Sequence, residues 1–325
     1  MIVLSACHPI EEFDADNKGD FDALWTAIDN HYCFFEEKGI DWNEVRSRYE
    51  PKISNQMTRR QLFNVCADMV NELRDGHTNL SSGFETSYYR KWWSDYPQNY
   101  IERLIEEHYF GFNYKQLGSV IYGVLPEKNV GYIHIPSFST GLGDSNIDWI
   151  LAELSPCNGI VIDIRNNGGG NMSNAEGWAR HFITKKTVAG YMIHKTGPGH
   201  DDFSEPFEFC YEPVSSPHII WTKPVVLLTN RSTFSAANFF TAVMSSLPQV
   251  IHAGATTGGG SGMPVSFELP GGWAIRMSAV SVLDSKRRVT EPGIAPPRRY
   301  EVDLVMDDVF IGRDTMLDFA VNLIK

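Results

Sequence analysis

The sequence predicts an α/β protein with a substantially parallel sheet, preceded by a small helical domain. Three observations carry that prediction. Apolar residues recur at helical spacing between Phe21 and Leu73. From residue 117 the period changes to short β-rich runs such as "GSVIYGVL", "VGYIHIPSF" and "GIVIDI". Helix-like stretches, among them "WILAEL" and "SNAEGWARHFI", alternate with those runs, as crossover connections between parallel strands require.

Taken in order, residues 1–19 read as the remnant of a lipoprotein-type leader and a polar tether. Leu4-Ser5-Ala6-Cys7 resembles a bacterial lipoprotein cleavage box. A lipid on Cys7 would attach the chain to a membrane and place it in the cell envelope or periplasm. Residues 20–82 form the helical domain: Phe21, Leu24, Trp25, Ile28 and Tyr32 make one apolar face, and Leu62, Val65, Met69 and Leu73 another. Asp41 or Asn43 caps a helix through "NEVRSRYEPKI". Residues 83–116, aromatic and charged without a clear period, are a connector. Residues 117–325 are the α/β core, with further strands at "HIIW", "PVVLL", "QVIHAG", "VSFELP" and "WAIRMSAV".

The bulk composition excludes several partners. A formal net charge of -12 and a pI near 5.3 argue against nucleic acid, which needs basic patches. The compact basic cluster Lys286, Arg287 and Arg288 is too short to supply one. Five scattered cysteines contain no CxxC pair, so no metal framework is expected. No run of about 18 apolar residues is present to span a membrane.

Two loops can carry chemistry. "GIVIDIRNNGGGN" runs from a strand into Gly168, Gly169 and Gly170 without the GxGxxG spacing of a dinucleotide site. Consecutive glycines can turn several amides toward one anion, or simply make a tight turn. In "TNRSTFSAANFF", Ser235 stands where a strand gives way to a helix, as a helix cap or as a nucleophile beside the amide of Ala236. The surroundings are not GxSxG. Ser232 is the weaker nucleophile candidate and reads better as a turn or capping residue. A serine nucleophile needs a base, and of ten histidines His77 stands apart, in a turn where its ring can be aimed without being buried.

In order along the chain, "LRDGHT", "VGYIHIPSF", "GIVIDIRNNGGG", "VVLLTNRSTFSAA" and "TEPGIAP" resemble the tail-specific (C-terminal-processing) serine peptidases, in their tricorn-like branch. The resemblance implies a ClpP/crotonase-like core with a helical N-terminal domain. It implies a serine endopeptidase for peptides or unfolded proteins, working without a cofactor, with Ser235 as nucleophile, His77 as general base and Glu291 as its orienter. Oxyanion amides would come from Gly168, Gly169, Gly170 and Ala236. The lysine of the family's other branch falls at Gly260, and no lysine lies between Ser235 and Lys286. Gly76 replaces the serine that precedes the histidine in the tricorn peptidase, which leaves Glu291, Asp75 or a water to orient His77. About 40 residues separate His77 from Gly118, too few for a PDZ domain. A catalytically impaired peptide-binding protein of the same fold and a crotonase-type acyl-CoA enzyme are the alternatives.

Overall fold

The computed structural model describes residues 12–125, 128–197 and 199–324. The cleavage-box resemblance at Leu4–Cys7 lies outside the described residues. The chain forms two units. One comprises Met1–Tyr89, Lys195–Asp202 and Pro264–Ala279, the other Arg90–His194, Phe203–Met263 and Val280–Lys325.

In the first unit the apolar stripes become buried faces of capped helices. Asp16 accepts the Gly19 amide at the start of helix Asn17–His31, which buries Phe21, Leu24 and Ile28. Asp41, rather than Asn43, caps Trp42–Tyr49 by accepting the Glu44 amide. Thr58 and Gln61 form a reciprocal capping box at the head of Arg59–Asn71, whose Leu62, Cys66 and Met69 are buried. After this helix the chain turns through Asp75–Thr78 into strand Asn79–Ser81, which pairs antiparallel with Ala274–Arg276.

The second unit is built on a six-stranded sheet. Its strands run in the order Lys115–Leu117, Val120–Leu125, Val130–His134, Gly159–Asp163, Val225–Thr229 and Val250–Gly254. The first three pair antiparallel, and from Val130–His134 onward the pairing is parallel. Ile160, Ile162 and Leu227 face helices Asp144–Leu154, Met172–Arg180 and Ala236–Met244 in one core. Val161, Val226 and Leu228 face helix Thr315–Leu323 in another. Burial on two faces is why these strands read as unbroken apolar runs.

The sequence reading differs from the structure at two places. "HIIW" is irregular, because its groups bond outward to helices: Asp148 accepts the Ile219 amide, and the His181 carbonyl accepts the Trp221 amide. Strands Thr187–Ile193 and Phe207–Tyr211, which pair antiparallel, were not expected.

The sheet's central strand ends in a buried charge cluster. Arg165 has no solvent exposure. Its Nη2 donates to Asp163 at 2.6 Å and its Nη1 to Asp314 at 2.9 Å, while its guanidinium faces the Tyr100 ring. Burial pushes the Asp163 carboxyl upward, but the Arg165 charge outweighs it and holds the carboxyl below its usual range. Replacing Arg165 leaves two buried carboxylates facing each other. Arg165→Met is therefore expected to cost about 3–5 kcal/mol of unfolding free energy, measured by urea denaturation.

His252 is buried in the parallel sheet, its Nε2 hydrogen-bonded to Thr229 Oγ1 at 2.8 Å. Burial lowers it from 6.5 to about 3. The folded imidazole stays neutral while the unfolded one takes up a proton, so this stability is complete above pH 6.5 and is lost as the pH falls toward 3. Within that window His252 should contribute a slope of about 1.4 kcal/mol per pH unit. His252→Asn should flatten the pH dependence of unfolding between pH 6.5 and 4.

Candidate active site

Ser235 occupies the N-cap position of helix Ala236–Met244, yet its hydroxyl does not cap the helix. Its backbone is at φ 58°, ψ -124°, a region that side chains with a Cβ rarely adopt. Such a conformation costs roughly 1–3 kcal/mol and persists only where neighbours impose it. Here they do: the Ser235 amide donates to the Gly259 carbonyl at 2.9 Å, and the Phe234 amide to the Asn167 carbonyl at 3.0 Å. The side chain is half-buried at the mouth of the turn. The Ala236 amide, first in the helix, has no intrahelical acceptor.

The glycine loop lies flush against this turn. A Cβ on Gly169, at φ 94°, would stand 2.7 Å from the Ser235 Cβ and 2.9 Å from the Ala236 nitrogen. The Gly169 amide donates to Asn167 Oδ1 at 2.9 Å. Of the three glycines, Gly169 thus has its amide engaged within the loop itself. Two further side chains, neither singled out from the sequence, lock the loops together. Asn230 Oδ1 accepts the Asn166 amide and its Nδ2 donates to Asn166 Oδ1, while Thr233 Oγ1 donates to the Ile164 carbonyl. The signal for Asn167 and Asn230 was their place at strand ends, where asparagine bonds nearby backbone.

Glu291 belongs to the same unit. Its Oε2 accepts the Ser261 amide at 2.8 Å, anchoring the carboxylate to the "TTGGGSG" loop. Asn238, one turn after Ser235, donates to the Thr290 carbonyl and accepts from Thr257 Oγ1. The helix that begins at Ala236 is thus bonded to the segment that carries Glu291. Gly260 has φ 76°, and a side chain there would overlap the Phe234 ring, so no lysine fits that backbone as it stands.

His77 lies in the first unit, in the turn before strand Asn79–Ser81. It is buried, at 7% exposure, rather than held on an open turn as expected. The reason is local: Asp75 Oδ1 accepts the His77 amide at 2.7 Å, and Arg276 donates to the His77 carbonyl at 2.9 Å, folding the turn inward. Burial pushes the Asp75 carboxyl up, yet Lys38, the His77 imidazole and the His77 amide together hold it below its usual range. Asp75 therefore fixes the backbone of the turn through the amide of His77.

Residues 129–298 match the model of peptidase family S41, and residues 13–71 match the Tricorn protease C1 domain. The chain is 26% identical over 184 residues to the carboxy-terminal processing protease CtpA of Bacillus subtilis, covering 56% of this chain and 37% of that protein. It spans between about a fifth and little more than a third of the length of the curated relatives it matches. A crystallised Parabacteroides merdae protein, provisionally assigned as a peptidase, is 40% identical with a TM-score of 0.90, covering 96% of this chain and 97% of that one. The photosystem II D1 C-terminal processing protease, at 16% identity and a TM-score of 0.56, covers 94% of this chain and 98% of its own, and shares the fold. The expected mixed α/β core with a small helical N-terminal region is borne out.

Asn167 ties the loop geometry together, since its Nδ2 also donates to the Ile135 carbonyl at 2.9 Å. Asn167→Ala leaves that carbonyl and the Gly169 amide unpaired in the interior. The expected cost is about 1–3 kcal/mol in urea unfolding, with faster hydrogen exchange at Gly169.

Proposed function

Because this chain belongs to peptidase family S41, we propose that it hydrolyses peptide bonds in peptides or unfolded protein segments, with Ser235 as nucleophile. One observation carries this reading. Ser235 is held at φ 58° beside Gly169 and the first amide of a helix, with its hydroxyl unused as a cap. Strain of this kind, imposed by surrounding hydrogen bonds, is the mark of a side chain aimed for chemistry.

In the proposed reaction, Ser235 Oγ attacks the substrate carbonyl while His77 takes its proton and passes it to the leaving amine. Water, deprotonated by His77, then attacks the ester carbonyl; the bond to Ser235 Oγ breaks, His77 returns the proton to that oxygen, and the acyl group leaves as a carboxylic acid. The tetrahedral oxyanion forms against the Ala236 amide and an amide of Gly168 or Gly170, where a fixed donor lowers the barrier by about 3 kcal/mol. Glu291, anchored by the Ser261 amide, is the proposed orienter of His77.

Cleavage of unfolded casein tests the proposal. Ser235→Ala and His77→Ala should each lower kcat/KM by roughly 10⁴-fold or more. A fluorophosphonate probe should label the wild type and fail to label Ser235→Ala. A wild type that binds peptides but neither cleaves them nor takes up the probe would replace this reading with that of a peptide-binding protein.

A further inference from the structure

The residue before the candidate nucleophile, Phe234, is only 7% exposed. Trp92 covers its ring, with centroids 4.0 Å apart and planes 22° from parallel. Glycines make room for this stack: a Cβ at Gly258 would run into the Trp92 ring, and one at Gly260 into the Phe234 ring. Arg231 rivets the tryptophan in place. Its Nε donates to the Trp92 carbonyl, and its Nη1 donates to the carbonyls of Thr257 at 2.9 Å and Pro292 at 3.2 Å. The same guanidinium lies 4.3 Å from the ring of Tyr96, which is 46% exposed. Trp92 itself is only half-buried, and its ring lies against the residue that precedes Ser235.

We propose that Trp92 is the specificity-determining platform of the site, receiving a large apolar or aromatic side chain from the substrate residue that supplies the attacked carbonyl. The inference rests on the serine-peptidase reading given above. A flat aromatic surface recognises such a side chain by dispersion, burial of apolar area and ring stacking. Because Phe234, the two glycines and Arg231 fix the indole beforehand, binding orders little that was mobile. Small side chains would leave that surface wet and gain less.

The test uses two peptide series that differ only at the residue beside the cleaved bond, Phe or Leu in one and Ala in the other, with cleavage sites mapped by mass spectrometry. The wild type should favour Phe and Leu in kcat/KM. Trp92→Ala should reduce that preference about tenfold or more, and Trp92→Leu should lower Phe relative to Leu. A Trp92→Ala protein with intact near-ultraviolet circular dichroism and an unchanged preference overturns the inference. If Trp92→Ala does not fold, an unchanged Phe-to-Leu ratio in Trp92→Leu overturns it. Binding to Ser235→Ala, measured by calorimetry, separates the two readings. Tighter binding of Phe peptides than of Ala peptides by an inert wild type keeps the platform and removes the peptidase, whereas equal affinities remove the platform.

Discussion

A guanidinium sealed from solvent is the constraint from which the second unit is organised. Arg165 must be paired where it lies, since an isolated buried charge costs several kcal/mol even after relaxation. Asp163, at the end of the central strand, and Asp314, which caps helix Thr315–Leu323, supply the two carboxylates. Tyr132 adds a hydrogen bond to Asp163 at 2.9 Å. With Arg165 pinned just beyond the end of the central strand, the next residue must turn, and Asn166 does so at φ 60°. The glycine loop starts there, and the asparagine bonds that follow carry this fixed start across to the turn at Ser235.

The elements read most directly from the sequence were those whose burial is one-sided or complete. Phe21, Leu24 and Ile28 marked a helix face, and "GIVIDI" and "PVVLL" marked strands covered on two faces. "HIIW" failed because its apolar residues look like a strand while its backbone serves Asp148 and His181. Strand Thr187–Ile193 was missed because it is only partly buried and carries a glycine at its irregular register. Around the candidate site, Ser235, the glycine loop and the Glu291 segment were legible as motifs. Asn167, Asn230 and Arg231 were less so, because their local bonds are joined by others to groups distant in sequence: Asn167 to Ile135, Asn230 to Asn166 and Arg231 to Trp92. The burial of His77 was invisible for the same reason, since it depends on Asp75 and on Arg276, 199 residues further on.

Hydrogen bonds of backbone and side chains together hold the shape of this region. The Ser235 turn is held by backbone bonds to Gly259 and Asn167, and the Glu291 segment by Asn238 and Thr257. Each bond is modest by itself, about 1 kcal/mol net, but a buried donor or acceptor left alone costs more than the bond is worth. A network of that kind tends to be either complete or disrupted, which gives the Ser235 turn one conformation rather than several.

The glycine at 260 stands where the resemblance places the lysine base of the family's other branch. Here the backbone at 260 is left-handed and the Phe234 ring fills the space that a side chain would enter. Introducing lysine by one codon change would meet strain and overlap at once, before any proton could be exchanged. A side chain at 260 therefore requires the aromatic stack beside Ser235 to move together with the glycine, and packing closes the position to a lysine.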